Sequence, residues 1–342
     1  MGSTNISRRR SLAALFACGA WAVLRPRALF GKTRPLLQVD RLIEGLSPSG
    51  LHGSRRVYRA DAVILVFSLS VYRHTGVGIG VTRIEESVEG NKRRTLFEFA
   101  AGSLPDRTRG LNRMGFLREV AIVEDTRLAE TAYFGALVSG ANDEDLEHAR
   151  KSLDKPNRDE IVYKAIDGGS AAGLSRSAVT RFGFSSRYHW PQRDALAEAA
   201  RSNFSPEQTE WRETKWAPPA EVPGSFLHAL MTAAKLPQQH FEGSYVYGEK
   251  RYKMKLDKTR DEKATRDFAA RGLIPGTTSV FEIRGKTTQE SNGKQNTFQL
   301  WMEDTPEVTL PLRFEYQPRP FLRLAFEFDP ILQHTPTGKE DV

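Results

Sequence analysis

The sequence predicts an α+β, β-rich protein, built as a curved antiparallel sheet or an open barrel-like sheet with helices packed on it. Three observations carry that expectation. In Phe321–Phe328 the side chains of Leu322, Leu324, Phe326 and Phe328 alternate with Arg323, Ala325 and Glu327, the period-2 signature of a sheet with one dry and one wet face. Between Gly243 and Pro330 several such runs follow one another, and Asn292-Gly293 between two of them is a tight-turn signal. Further upstream, Ala62-Val-Ile-Leu-Val-Phe-Ser-Leu-Ser-Val-Tyr72 is rich in β-branched and aromatic residues, as strands are. A sheet of many antiparallel strands with one apolar face must curl or be covered.

The 342 residues are enough for one large domain or two ordinary ones, and 39% hydrophobic against 27% charged composition supports a packed core. The net charge is +8. Nucleic-acid binding would concentrate that charge in a basic stripe with aromatics between, whereas here the bases are scattered in short clusters such as Lys92-Arg93-Arg94. The one cysteine is Cys18. It falls in the leader, so the remainder of the chain has no disulfide, thiolate metal site or cysteine nucleophile.

Ser7-Arg-Arg-Arg-Ser-Leu12 opens an apolar stretch that ends near Leu24, too short to span a bilayer. A basic start followed by a short apolar core is the grammar of an export signal. The arginine pair, the spacer and Leu12 resemble a twin-arginine signal, with Ser11 where that pattern favours Phe. Residues 1–30 are therefore expected to direct export to the periplasm, the protein folding before passage. Ala20-Trp-Ala22 offers small residues for cleavage. Leu15-Phe-Ala-Cys18 weakly resembles a lipoprotein box, but Phe16 is too large, and no lipid anchoring at Cys18 is expected.

Residues 31–56 read as a tether and 57–204 as an N-terminal β-rich half with inserted helices. Strands are expected at 62–72, 76–81, 95–101 and 117–123. The run from Thr126 to Leu137 has helical spacing. Asn142 is placed to cap a helix over 143–153, with acids first and bases last. Strands follow at 161–166 and 177–190, then a helix at 192–203 behind Pro191. Residues 205–224, with Trp211, Trp216 and four prolines, read as a linker. In the C-terminal sheet region, 225–330, Ser225 or the glycine before it caps a helix to Ala234, and strands follow at 244–247, 251–256, 278–284, 297–302, 310–316 and 322–328. A charged excursion, 257–271, interrupts them. Residues 331–342 read as a flexible tail.

Few residues suggest a site. Gly76, Gly78 and Gly80 share one face of a strand. Their G-x-G-x-G spacing lacks the following helix of a dinucleotide fingerprint, so they read as a bare face on which a ring packs closely or which floors a ligand groove. Arg107, Arg109 and Arg113 lie in a long loop, and their forked donors suit a carboxylate or phosphate; pairing with Asp106 or Glu119 is the plainer role. Trp211 and Trp216 could stack on a sugar, though linker tryptophans commonly bury themselves.

Catalytic grammar is missing. No G-x-S-x-G, H-E-x-x-H or P-loop pattern occurs, and the seven histidines are scattered without metal-type spacing. His74 and His189 are the nearest to candidates. No metal and no cofactor is implied.

The C-terminal stretch resembles the uncharacterised bacterial envelope family known as domain of unknown function 3108. Trp301 in an aromatic-rich strand, then Leu310-Pro311-x-Arg313 before a closing strand, carries the resemblance, which covers about the last 110 residues. It implies a secreted or periplasmic β-rich protein without established activity and supplies no functional residues, though it singles out Trp301. The expectation is thus a non-catalytic envelope protein that holds a lipid-, glycan- or lipoprotein-like ligand in a curved sheet. Two alternatives follow it: a structural or assembly factor acting through its surface, then an envelope hydrolase. Partners would be lipid, glycan or envelope protein, with no nucleic acid, and the mature chain would be at most peripheral to the membrane.

Overall fold

In a computed structural model, fourteen strands hydrogen-bond into a single antiparallel sheet in the order β8-β7-β6-β5-β4-β3-β2-β1-β14-β13-β12-β11-β10-β9. The structure describes residues 38–43, 52–66, 69–104, 107, 114–125, 127–138, 160–185, 193–204, 209–215, 224–236, 239–247, 250–305, 310–319 and 322–334. All belong to one compact unit, Pro35–Val342. The expected leader and the helix expected at 143–153 lie outside the described residues.

The N-terminal arm is a meander: β1 (His52–Val66), β2 (Leu69–Glu89), β3 (Lys92–Ser103), β4 (Met114–Glu124), β5 (Arg127–Val138), β6 (Glu160–Ala171), β7 (Leu174–Ser185) and β8 (Arg212–Lys215). The C-terminal arm is another: β9 (His240–Tyr247), β10 (Lys250–Arg260), β11 (Val280–Gln289), β12 (Gln295–Glu303), β13 (Arg313–Arg319) and β14 (Leu322–Phe328). The first and last strands join the arms, in a register running from Tyr58 opposite Phe328 to Ile64 opposite Leu322. The sheet is not closed, and β8 and β9 are its ends. Tight turns have the backbone they need: Ala172 and Gly173 both have positive φ, 48° and 75°, where β6 returns as β7.

Several sequence expectations change. In place of the helix expected from 126 to 137, the chain from Arg127 to Val138 forms β5. Ala132, Phe134 and Ala136 are buried on one face and Thr131 and Tyr133 on the other, so apolar character is continuous and the period of two is hidden. A strand covered on both faces cannot be told from a helix by periodicity alone. The tether region contains α1 (Gln38–Ile43), whose Val39 is fully buried, and the start of β1. The linker region contains β8, paired to β7. The charged excursion holds the end of β10 and α4 (Glu262–Ala270), capped by Asp261. A short α5 (Pro330–His334) begins the expected tail.

Two cores lie on opposite faces of the sheet, because the β3 neighbours Leu96 and Phe97 enter different clusters. Leu96 joins Val120, Phe134, Tyr163 and Phe182, together with Val39 of α1 and Leu196 and Ala200 of α2 (Arg193–Ser202). Leu196 and Ala200, four apart, share one helix face. Phe97 joins Leu256, Ile283 and Leu300, together with Leu230 and Met231 of α3 (Phe226–Lys235). Burying each large apolar side chain contributes about 1.5–3 kcal/mol.

Candidate functional site

In the C-terminal arm the alternation becomes chemistry. Leu256, Ile283, Leu300 and Phe314 face the core around α3, and the residues between them build a charged face. Three almost fully buried carboxylates sit on that face or beside it, each held by arginine. Glu282 accepts from Arg284 Nε and Nη2 at 2.9 and 3.0 Å. Glu315 is paired with Arg313 and, at 3.2 Å, with Arg323. Asp61 accepts from Arg73 Nε at 2.9 Å and from the Gly76 N–H at 2.8 Å. Forked guanidinium donors match carboxylates in this way, which is why arginine and not lysine fills these positions.

Among these residues runs a groove of about 390 Å³ across β9–β14. His240, Lys255, Arg284, Lys286 and Arg323 line it against only two carboxylates, Asp257 and Glu315. His240 reaches Asp257 through Nδ1 at 2.8 Å and Glu242 through Nε2 at 3.4 Å. Hydrogen bonds to Asp257 and then Glu242 raise its pKa, so it holds a proton more readily than a free histidine. Lys255 in turn lowers the pKa of Glu242. The groove is open and lined by more basic than acidic side chains, with Phe298 and Tyr316 also in its wall. It can hold an anionic group by charge and hydrogen bonding.

The other face carries an aromatic cluster. Tyr245 stacks on Tyr252 at 4.9 Å between ring centres, Phe226 meets Tyr245 and Phe298 edge-on at 5.3 and 5.5 Å, and Tyr247 meets Tyr133 of β5 at 5.0 Å. Beside it Glu119 of β4, fully buried, accepts from the Ser225 hydroxyl and from the Leu227 N–H at 3.2 Å. Burial pushes its carboxyl up to about 8, against the opposing pull of those hydrogen bonds.

The residues expected to form a site are dispersed. Gly80 lies under the Phe326 ring: a Cβ there would stand 2.8 Å from it, and one on Gly78 would stand 2.5 Å from the Gly102 carbonyl oxygen. Gly76 takes a positive φ of 64° beside Asp61. Gly78 and Gly80 thus make close approaches that only glycine permits, and Gly76 takes the left-handed backbone that favours it. Trp301 donates from Nε1 to Asp261 at 3.0 Å and lies under the Arg313 guanidinium at 5.0 Å. Arg107 is exposed; Arg109 and Arg113 lie outside the described residues. None of the described members of this set lines the groove. His74 is exposed beside Tyr72, the Arg176 guanidinium covers Trp211 at 4.4 Å, and His189 and Trp216 lie outside the described residues. Among the described residues no group of three or more His, Cys, Asp or Glu is placed to hold a metal ion, and no helix is long and apolar enough to cross a membrane.

Sequence reasoning missed the groove because its residues come from six strands. The usable signal was the polar half of each alternation, Lys255/Asp257, Arg284/Lys286, Gln299 and Arg323, once those strands are placed side by side. Glu119 had a plainer signal: an acid beside Arg118 in a strand whose other central residues, from Phe116 to Val123, are apolar.

No family model and no curated protein matches the chain. Among solved structures, a beta-barrel-like protein of domain of unknown function DUF1849 from Brucella abortus is similar over 80% of this chain and 95% of that one, with 9% sequence identity and a TM-score of 0.41.

Proposed function

We propose that this is an exported, non-catalytic cell-envelope protein that binds an anionic amphiphile, lipid-, glycan- or lipoprotein-like, on its bowed C-terminal sheet. The cationic groove of His240, Lys255, Arg284, Lys286 and Arg323 is the observation that carries the reading. The bow is read from a shared core: Phe97 of β3 and Leu256 of β10 lie in one cluster although seven places apart in the sheet order. The helices α2 and α3 fill the two sides of such a sheet. Export rests on the twin-arginine-like leader, and the kinship with domain of unknown function 3108 rests on Trp301, Leu310, Pro311 and Arg313.

Native mass spectrometry of the protein taken from its own envelope in gentle detergent tests the reading. A retained anionic lipid or glycan, lost in the double variant K286A/R323A, is the expected result. Binding that is equal in the variant, or indifferent to salt, overturns the groove's role. A reporter fused behind residue 40 and found inside the cell overturns the export.

A second reading, an assembly factor acting through its surface, is favoured by one observation. The β1–β2 hairpin leaves Val71 64% and Tyr72 60% exposed, beside Ile64 at 38%. Co-purification of an envelope protein that is lost in V71S/Y72S would favour this reading over the first.

A further inference from the structure

The seam where α3 meets the N-terminal arm has chemistry that binding in the polar groove does not use. Glu119 grips the first turn of α3 through Ser225 and Leu227. Gly224, just before the helix, accepts from the Val246 N–H of β9 at 3.0 Å, and a Cβ on it would stand 3.6 Å from Leu128 of β5. The ring pair Tyr133–Tyr247 spans the same seam. Two polar atoms there, Glu119 Oε1 and the Tyr247 hydroxyl, are buried with no hydrogen-bond partner among the described residues. Such atoms cost free energy while the seam is shut and regain water when it opens.

We propose that Glu119 makes this seam a proton-operated gate: with its carboxyl neutral the N-terminus of α3 is held shut, and loss of that proton to solvent on opening frees the helix and exposes the aromatic-lined core to an apolar ligand.

Among the described residues no cation pairs with Glu119 to stabilise its charge. From α3 the facing group is His228, which burial pushes down to about 4, so it is neutral when shut. Lys235, at the far end of α3, is paired with Glu86 at 3.9 Å, and burial lowers its pKa. From β9 the facing groups are Tyr245, whose pKa burial raises, and Tyr247; from β5 it is Tyr133. From β3 the residue opposite Glu119 is the apolar Phe97.

The signs then follow. Glu119 has a raised pKa when shut, so it holds the gate closed at low pH, and closure is lost as pH rises towards about 8. His228 has a depressed pKa when shut, so it favours closure above its ordinary value near 6.5, and that contribution is lost as pH falls towards about 4. The two oppose each other between about pH 5 and 6.5, and Glu119 acts alone above that.

Hydrogen exchange of the α3 amides in the full chain, corrected for the intrinsic effect of pH, tests the gate, with binding of the uncharged dye Nile red as a second readout. Wild-type opening should hold within about a factor of two from pH 5 to 6.5 and rise about tenfold by pH 8. E119Q keeps the shape of the neutral carboxyl. It should abolish the alkaline rise and leave only the His228 response, about tenfold more opening from pH 6.5 down to 5. S225A, which retains the carboxyl, should keep the alkaline rise. Equal pH profiles for wild type and E119Q, or no alkaline rise in wild type, overturn the proposal. The gate is independent of the groove, so K286A/R323A should leave these profiles unchanged whether or not the groove binds an anion.

Discussion

Gly80 and Phe326 show how much a single missing side chain can decide. The ring fills the space a Cβ would need, 2.8 Å away, and stacks on Phe314 at 4.5 Å between centres. Gly80→Val should cost about 1–3 kcal/mol by overpacking, read as a lower denaturant midpoint with unchanged slope. Glu315 is a different case. Only 4% exposed, it neutralises Arg313 and Arg323. Glu315→Ala should cost about 2 kcal/mol, less than for a fully buried pair because both arginines keep some contact with water; thermal unfolding would show it. At this scale the sequence was partly legible. The glycine face and the polar–apolar alternation of 322–328 stand in the chain as written. The partners of Glu119 do not, because Ser225 lies 106 residues away and no local pattern relates them.

Among the elements, helices with a strong local signal were readable. Ser225 caps α3 as expected, accepting from the His228 N–H, and Pro191 precedes α2. β5 was not readable, because Phe134 on one face and Tyr133 on the other are both buried. Helix α4 was hidden for the opposite reason. Phe268 is its one fully apolar anchor, so the amphipathic signal is thin. Its start nevertheless has a mark in Asp261, which accepts from the Ala264 N–H at 2.8 Å and from Trp301 Nε1. Burial pushes the Asp261 carboxyl up, but these hydrogen bonds outweigh it and leave the pKa lowered. Its contribution is therefore present above the ordinary aspartate range and lost as pH falls through the lowered value. Asp261→Ala should cost about 1–2 kcal/mol by removing the cap and stranding the Trp301 N–H. Thermal melts at pH 7 would show the loss, and melts at pH 3 would show less of it. In β5, Phe134→Ala should cost about 3–5 kcal/mol, since the side chain is fully buried and ringed by Phe116 and Phe204.

For the molecule as a whole, the sheet is continuous because β14 lies between β1 and β13. Nothing in the sequence announces that pairing. Alternation gives each strand its faces but not its neighbours, and the join links residues such as Tyr58 and Phe328 at opposite ends of the described chain. With β14 in place the intact protein should unfold in one cooperative transition. A chain shortened before Leu322 should lose that transition and aggregate through two bare edges, β1 and β13, as light scattering during a melt would report.

That join has a consequence for synthesis. A ribosome makes β1 long before β14, so β1 waits through the synthesis of β2 to β13 with one side of its backbone unsatisfied. Until β14 emerges, Tyr58–Ile64, the part of β1 that it pairs with, needs shielding by a chaperone or by its own hairpin. Slow translation of the codons just before β14 should therefore harm the yield of soluble protein far more than the same delay placed after β14.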